Sequence, residues 1–468
     1  MRLFFALRAL PFDMPMLWKH GRFRIIYNYY VCAQKMFPQM TKFFENRRRI
    51  TVRVHTLGCK VNFCDTNALL EALAAAGIER AADGGPADVQ LVNTCAVTAR
   101  SVQKARSLIR RVRAAERGAT VVVTGCGARL ADGGLSAMPE ADAVCPTLED
   151  ALGWLGRRYG FETALPQGGL DRERTRAFIK VQDGCDAFCS YCIVPYLRGR
   201  PRSIEPERVE ELAAAAVEKG HREVVLCGVH LGHYGKESGA ADLAGLLKRV
   251  ARMPGEFRVR LSSVEPLEVT DGLLEVMRGS TKICPHLHLP LQSGSDRILR
   301  AMRRPYTAAT YLEVVERARK ALDNPAITAD IMVGFPGETE DDHRLTLETA
   351  RRAGFARAHV FVFSPRRATA AAAMEPKVNG AESRRRSVEA RETCAESARA
   401  FRRTLVGTRA EVIAEETANG WAEGFCRRYQ RVKFRDAGGA LGRPTSVYIN
   451  GESADGAGLW GEAAEIRR

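Results

Sequence analysis

No stretch of the chain approaches the roughly 18 consecutive apolar residues that a membrane-spanning helix requires. The apolar run nearest the amino terminus is interrupted by Pro11 and Pro15, which makes a poor secretory signal or anchor. There is no internal repeat on the scale of a solenoid, which excludes repeat architectures. Acidic residues are also scarce: 55 stand against 71 lysines and arginines, a formal charge of +16. Much of the surplus is arginine, whose planar fork of donors suits phosphate. A nucleic-acid partner is one reading of that surplus; the free use of arginine by a GC-rich genome is the other.

A length of 468 residues is too great for one ordinary core and implies two or three domains. The content of 46% hydrophobic and 27% charged residues is that of a globular protein. Thirteen cysteines in so long a chain, with no secretory signal before them, point to metal binding or redox chemistry in a reducing compartment, not to a disulfide scaffold.

Residues 1–49 are aromatic and basic without helical or strand periodicity. They read as a poorly ordered extension, or as the product of an upstream start whose true position lies near Met40. A regular pattern begins at Thr51. TVRVHTLGC, VQLVNTC and TVVVTGC read as strands ending in Cys59, Cys95 and Cys126, with a helix beginning near Asp65 and a basic helix after Cys95. Alternating strands and helices imply a parallel α/β sheet over 50–160, and such sheets bind ligands outside the carboxyl ends of their strands. A stretch around 145–172, with Pro146, Pro166, Gly168 and Gly169, reads as a linker. A second α/β series over 171–402 has the strands AFIKV, REVVLCGV, RVRLSSV, HLHLPL, ITADIMVG and AHVFVFS, which suit an open, partial (β/α)6 barrel. The last segment, 404–468, alternates like short antiparallel strands.

The segment DGCDAFCSYCIVPYLRGR places Cys185, Cys189 and Cys192 in C-x3-C-x2-C spacing. Three thiolates in one short loop can hold three irons of a [4Fe–4S] cube and leave the fourth open. Half of a zinc site is the alternative, but the other half is missing within reach. The spacing, with Tyr191 before the last cysteine, resembles that of the radical S-adenosylmethionine superfamily. Together with TLGCKVN, LVNTCAVT, VVVTGC, GVHLGHYG, RLSSVEP, HLHLPLQSGSDRILRAMRR, DIMVGFPGET and FVFSPR, it resembles the methylthiotransferase family from about Thr51 to Phe434.

That resemblance implies an amino-terminal cluster domain, a radical S-adenosylmethionine barrel and a small TRAM-like β domain. It implies two [4Fe–4S] clusters, one on Cys59, Cys95 and Cys126 and one on Cys185, Cys189 and Cys192. The second would cleave S-adenosylmethionine to a radical that removes hydrogen from C2 of an adenine. The first would carry the sulfur, methylated by a second S-adenosylmethionine. Tyr191, Gly228, His230, Ser263, Glu265 and Gln292 are expected around S-adenosylmethionine; for the Ser262, Ser263 and Glu265 group a turn-and-cap reading stands beside that one. Arg198, Arg200 and Arg202 are candidates for tRNA phosphates or for a solvated basic face. His286 and His288 read as pocket-facing or core residues, and Ser295 as a helix cap.

CIVPYLRGRPRS, GVHLGHYG and TLGCKVN look most like the branch acting on N6-threonylcarbamoyladenosine at position 37 of tRNA. The isopentenyladenosine branch and a branch modifying a ribosomal protein aspartate are the enzymatic alternatives, and an iron–sulfur RNA-binding scaffold is the non-catalytic one. The expected partners are a tRNA anticodon loop and a reductant such as flavodoxin or ferredoxin, with no membrane, for a cytoplasmic monomer. The resemblance fades after RVKF, and SPRRATAAAAM replaces the family's glycine-containing turn. Both departures fall outside the cysteine motifs.

Overall fold

The computed structural model describes residues 49–130, 135–170, 175–239, 241–436 and 438–463, so the expectation for 1–49 lies outside the described residues except at Arg49. The first parallel sheet grows from short apolar strands. These are β1 (Thr51–Thr56), β2 (Glu79–Arg80), β3 (Val89–Thr94), β4 (Thr120–Gly125) and β5 (Ala143–Val144), in the order β2-β1-β3-β4-β5. Central β3 is buried at every residue, as a strand covered on both faces must be. The covering helices are α1 (Lys60–Ala75), α2 (Ala99–Ala115) and α3 (Leu148–Tyr159).

Two sequence expectations fail here for physical reasons. Helix α1 begins at Lys60, with Cys59 as its N-cap, and not near Asp65. Its first turns hide Asn62, Asp65, Thr66 and Asn67 from water, so no amphipathic pattern marks the start. The stretch read as a linker contains α3, opened by a reciprocal capping box of Thr147 and Asp150. Ala151, Leu152 and Leu155 of α3 join the core under β1, β3 and β4.

A second sheet follows. The parallel strands β6 (Arg176–Asp183), β8 (Glu223–Gly228) and β9 (Arg258–Leu261) carry the two-residue antiparallel β7 (Arg202–Ser203) on one edge. Parallel strands β10 (His286–His288), β11 (Ala326–Val333) and β12 (Arg357–Val362) continue the curve. Single bridges from Val259 to Ile283 and from Ser263 to His288 join the two halves. The six parallel strands expected over 171–402 are thus all present, as an open barrel. Its helices include α4 (Val194–Arg198), α5 (Pro206–Glu218) and α6 (Leu243–Arg252), followed by α7 (Asp271–Arg278), α8 (Asp296–Ala301) and α9 (Ala308–Ala321). The long helices α10 (Glu340–Ala353) and α11 (Gly380–Arg403) complete the set.

The chain ends in a closed five-stranded barrel of β13 (Arg409–Ala418), β14 (Trp421–Cys426), β15 (Arg431–Arg435), β16 (Pro444–Glu452) and β17 (Leu459–Ala463). β16 and β17 come from the segment where the family resemblance fades, so the barrel closes although the motif is gone. Closure removes the exposed edges that a small sheet would otherwise present.

This barrel is fastened to the first residues of the parallel strands. Glu223, which opens β8, is fully buried and receives Arg258 at 2.6 Å and Arg260 at 2.8 Å. The remaining donors of those arginines reach the carbonyls of Phe425 at 2.8 Å and Arg427 at 3.0 Å. The Cys185 loop follows the last residue of β6. An eight-residue strand rises about 26 Å, so the terminal barrel and the cysteine loop lie at opposite edges of the sheet. Among the described residues, no helix is long and apolar enough to cross a membrane.

Candidate functional site

Three adjacent strands of the first sheet each deliver one cysteine just past their carboxyl ends. Cys59 follows β1, Cys95 follows β3 and Cys126 follows β4. The Cys59 thiol lies within electrostatic reach of both others. The approach is close: Gly58 has φ +116°, and a Cβ there would stand 2.9 Å from Cys95 Cβ and 3.2 Å from its Sγ. Glycine is required on both counts.

Asn62, in the first turn of α1, ties the strand ends together. Its Nδ2 donates to the carbonyls of Leu57 at 2.9 Å and Thr94 at 3.0 Å. Its Oδ1 accepts from Arg198 at 2.7 Å, with the Cys126 thiol 3.8 Å away. Burial pushes the Cys126 thiol's pKa up, against the pull of the Arg198 guanidinium. Sequence reasoning passed over Asn62, although it closes the TLGCKVN motif.

The second set sits in the loop after β6. Cys185 Sγ accepts from the Ala187 amide at 3.5 Å and faces His230 Nδ1 at 3.5 Å. Cys189 Sγ accepts from Arg304 Nη1 at 3.3 Å. The Cys192 thiol is pushed up to about 12, burial outweighing a hydrogen bond from the Val194 amide. Thiols raised this way are poor free nucleophiles and become ligands only when a cation drives off the proton. Both triads, grouped at strand ends with donors aimed at their sulfurs, fit thiolate ligation of a cluster.

Descriptions of protein families match both regions. The model for the radical SAM superfamily covers residues 179–350, and that for the uncharacterized protein family UPF0004 covers 51–146. The chain is 36% identical over 420 residues to threonylcarbamoyladenosine tRNA methylthiotransferase MtaB of Thermotoga maritima, spanning 87% of this chain and 96% of that protein. It is 35% identical to the protein of the same name in Bacillus subtilis, spanning 85% and 93%. The chain belongs to the methylthiotransferase family of radical S-adenosylmethionine enzymes. The tRNA-2-methylthio-N(6)-dimethylallyladenosine synthase of Anaeromyxobacter sp. (strain K) is 41% identical, over 69% of this chain and 72% of that protein. Among solved structures, the radical S-adenosylmethionine methyltransferase TsrM of Kitasatospora setae shares the fold. The TM-score is 0.51 at 14% identity, over 67% of this chain and 75% of that one.

Around the barrel cysteines of this methylthiotransferase, the expected cofactor residues take varied positions. His230 is the most constrained. Its backbone amide donates to Gln182 Oε1 at 2.8 Å, its Nε2 lies 2.9 Å from Glu268, and its ring stacks on His233 at 3.6 Å. Burial works against its imidazolium, but Cys185 and Glu268 outweigh it and push the pKa up to about 9. Asp186, His230 and His233 converge closely enough to hold an ion, yet both His230 nitrogens already face Cys185 and Glu268. Glu265 pairs with Arg304. Gly228 ends β8 against Gln182, and Ser263 is exposed at the end of β9. Gln292 has φ +63° and a buried Oε1 without a partner among the described residues. Tyr191 packs on the cluster of Ile298, Met302, Met332 and Phe335. Ser295 caps α8, as expected. His286 is buried and His288 half-buried; His286 Nε2 and His288 Nδ1 each face Thr328 Oγ1 at 3.0 Å, and His288 Nε2 lies 3.3 Å from Asp330.

The arginines divide. Arg200 and Arg202 are exposed. Arg198, expected at a phosphate, is instead buried and bridges the two α/β units. It meets Asp65 of α1 at 2.9 Å and Asp183 of β6 at 3.0 Å, and Lys180 pairs with the same two carboxylates. Its Nη1 and Nη2 are taken by Asp183, Asp65 and Asn62. The correction has a simple cause: an arginine in a basic stretch cannot be told from a buried one until its carboxylates are located.

A recess of about 450 Å³ that sequence reasoning missed opens between Arg129, Ile193, Tyr196, Pro365 and Arg366. Ile193 follows Cys192 and Arg129 lies three residues after Cys126, so the recess flanks both triads. Arg366 Nε is buried without a partner among the described residues.

Proposed function

We propose that the chain methylthiolates C2 of N6-threonylcarbamoyladenosine at position 37, in the anticodon loop of tRNA. The observation that carries this reading is the pair of cysteine triads at the carboxyl ends of two parallel sheets. Cys59, Cys95 and Cys126 would hold one [4Fe–4S] cluster, and Cys185, Cys189 and Cys192 the other. When bound at the barrel triad, a cluster supplies the electron that cleaves S-adenosylmethionine, and the resulting radical reaches a C–H bond that no side chain could activate by proton transfer.

The protein's own residues supply placement. Gly228, Ser263, Gln292 and Tyr191 would line the place for S-adenosylmethionine, with His230 and Glu265 behind the cysteines. We assign Arg366, whose Nε lacks a partner among the described residues and which lines the recess, to the carboxylate of the threonylcarbamoyl substituent; a bidentate arginine–carboxylate contact is strong and specific. Arg200 and Arg202 remain for phosphate contacts. The terminal barrel offers Trp421 with Arg435 and Lys433 over its ring, a composition suited to RNA. Flavodoxin or ferredoxin would be the reductant, acting on a cytoplasmic monomer.

Choice of the threonylcarbamoyl branch rests on extent and identity taken together. Its two named members are 35–36% identical over 85–87% of this chain, whereas the dimethylallyl enzyme of Endomicrobium trichonymphae is 33% identical over 85% and that of Anaeromyxobacter sp. (strain K) 41% identical over only 69%. The test offers reconstituted protein tRNA bearing threonylcarbamoyl or isopentenyl adenosine. Mass spectrometry of the nucleosides should find the methylthio product only from the first. Product only from the second would overturn the branch and leave the two-cluster mechanism standing.

A further inference from the structure

Two of the three barrel thiols are met by a donor on a basic side chain, and both donors are held by one short segment. His230 Nδ1 stands 3.5 Å from Cys185 Sγ, and Arg304 Nη1 stands 3.3 Å from Cys189 Sγ. Behind His230 stands Glu268 at 2.9 Å, and behind Arg304 stands Glu265. Both carboxylates belong to the turn after β9, three residues apart. Arg304 is buried and further fixed by Tyr306 Oη at 3.1 Å, which itself donates to the Pro290 carbonyl at 2.8 Å. Cys192, by contrast, has among the described residues only a backbone donor, the Val194 amide.

We propose that His230 and Arg304 are hydrogen-bond donors to the Cys185 and Cys189 thiolates, positioned by Glu268 and Glu265, and that together they set the reduction potential of the barrel cluster. The inference rests on the reading that these cysteines hold a [4Fe–4S] cluster. A ligating thiolate carries no hydrogen, so the nitrogen must donate in both contacts. Reduction adds one electron and takes up no proton, so negative charge on the sulfurs rises. Donors aimed at those sulfurs therefore favour the reduced form, more strongly in a water-poor interior. The electron comes from a low-potential one-electron donor, dithionite in the test below. Hydrogen bonds to cluster sulfurs are among the main determinants of such potentials, and partners behind a ligand tune it through orientation.

The experiment is a redox titration of full-length, anaerobically reconstituted protein, followed by electron paramagnetic resonance. The barrel cluster's signal is the one that disappears in Cys189→Ala. His230→Leu and Arg304→Met should each lower the one-electron reduction constant of that signal about tenfold, which is about 59 mV toward negative potential. His230→Asn and Arg304→Lys, which retain a donor, should recover more than half of the shift. Glu268→Gln and Glu265→Gln should give smaller shifts in the same direction, which a merely structural role would not produce. If one donorless variant fails to retain iron, the variant at the other thiolate decides. Unchanged potentials with iron retained would overturn the proposal, as would loss of the cluster from both variants in folded protein. Absence from the wild-type protein of any signal that Cys189→Ala removes would instead overturn the underlying cluster reading, and the proposal with it.

Discussion

Replacing Arg198 with Met tests whether this arginine joins the two α/β units or serves RNA. The guanidinium meets Asp65 at 2.9 Å, Asp183 at 3.0 Å and Asn62 at 2.7 Å, and it is buried. Methionine keeps most of the apolar stem and removes the charge, leaving the two carboxylates with Lys180 alone. Breaking a buried ion pair on one side costs about 3–5 kcal/mol. Because Lys180 still pairs with both carboxylates, the lower end, about 3 kcal/mol, is expected. At roughly 2–4 °C per kcal/mol for a unit of some 150–250 residues, Tm should fall by about 6–12 °C.

Asp183 adds a pH signature to the Arg198 test. Burial works against its carboxylate, but Lys180 and Arg198 outweigh burial and hold its pKa well below the usual range. A depressed folded-state pKa contributes stability that is present above the unfolded value, about 3.9, and is lost as pH falls below it. Arg198→Met should therefore lessen the loss of stability below about pH 4. Differential scanning fluorimetry across pH and tRNA binding across salt are the assays. An unchanged Tm with weaker tRNA binding and a flatter salt dependence would refute the bridge and restore a phosphate contact.

Cys189→Ala should abolish S-adenosylmethionine cleavage while iron stays at the amino-terminal triad; Cys95→Ala should keep cleavage and lose thiolation. Equal loss of cleavage in both folded variants would sink this division of labour. Gly58→Ala places a Cβ 2.9 Å from Cys95 Cβ at a φ of +116°. It should lower iron at the first triad with cleavage intact, as read by iron assay and cleavage product. Glu223→Gln leaves Arg258 and Arg260 facing each other without a full countercharge, at about 3–5 kcal/mol. Limited proteolysis should then release the terminal barrel near Thr408, and resistance equal to wild type would count against that fastening.

The sequence by itself determined the succession of the long parallel strands and the placement of a cysteine triad in each α/β series, though not helix α3. Apolar strand periodicity and a cysteine at each strand's end are local signals, and local spacing is enough to put Cys59, Cys95 and Cys126 on one edge of a parallel sheet. It also determined the C-x3-C-x2-C loop, because all three ligands lie within eight residues. Only the tertiary structure decided what surrounds them. Arg198 and Asp65 are 133 residues apart, Arg304 and Cys189 115, and Arg258 and the Phe425 carbonyl 167. In each case a charged residue is buried by a partner from a distant segment, and its own neighbours in sequence look the same as those of a solvated one. The same cause hid the start of α1, whose polar first turns face other elements instead of water. Closure of the terminal barrel through β16 and β17 likewise depends on pairing between strands, which tolerates the loss of a motif as long as alternation and turns survive. Chemistry carried by consecutive residues is legible in a chain. Chemistry that depends on which distant charge neutralises which appears only when the chain is folded.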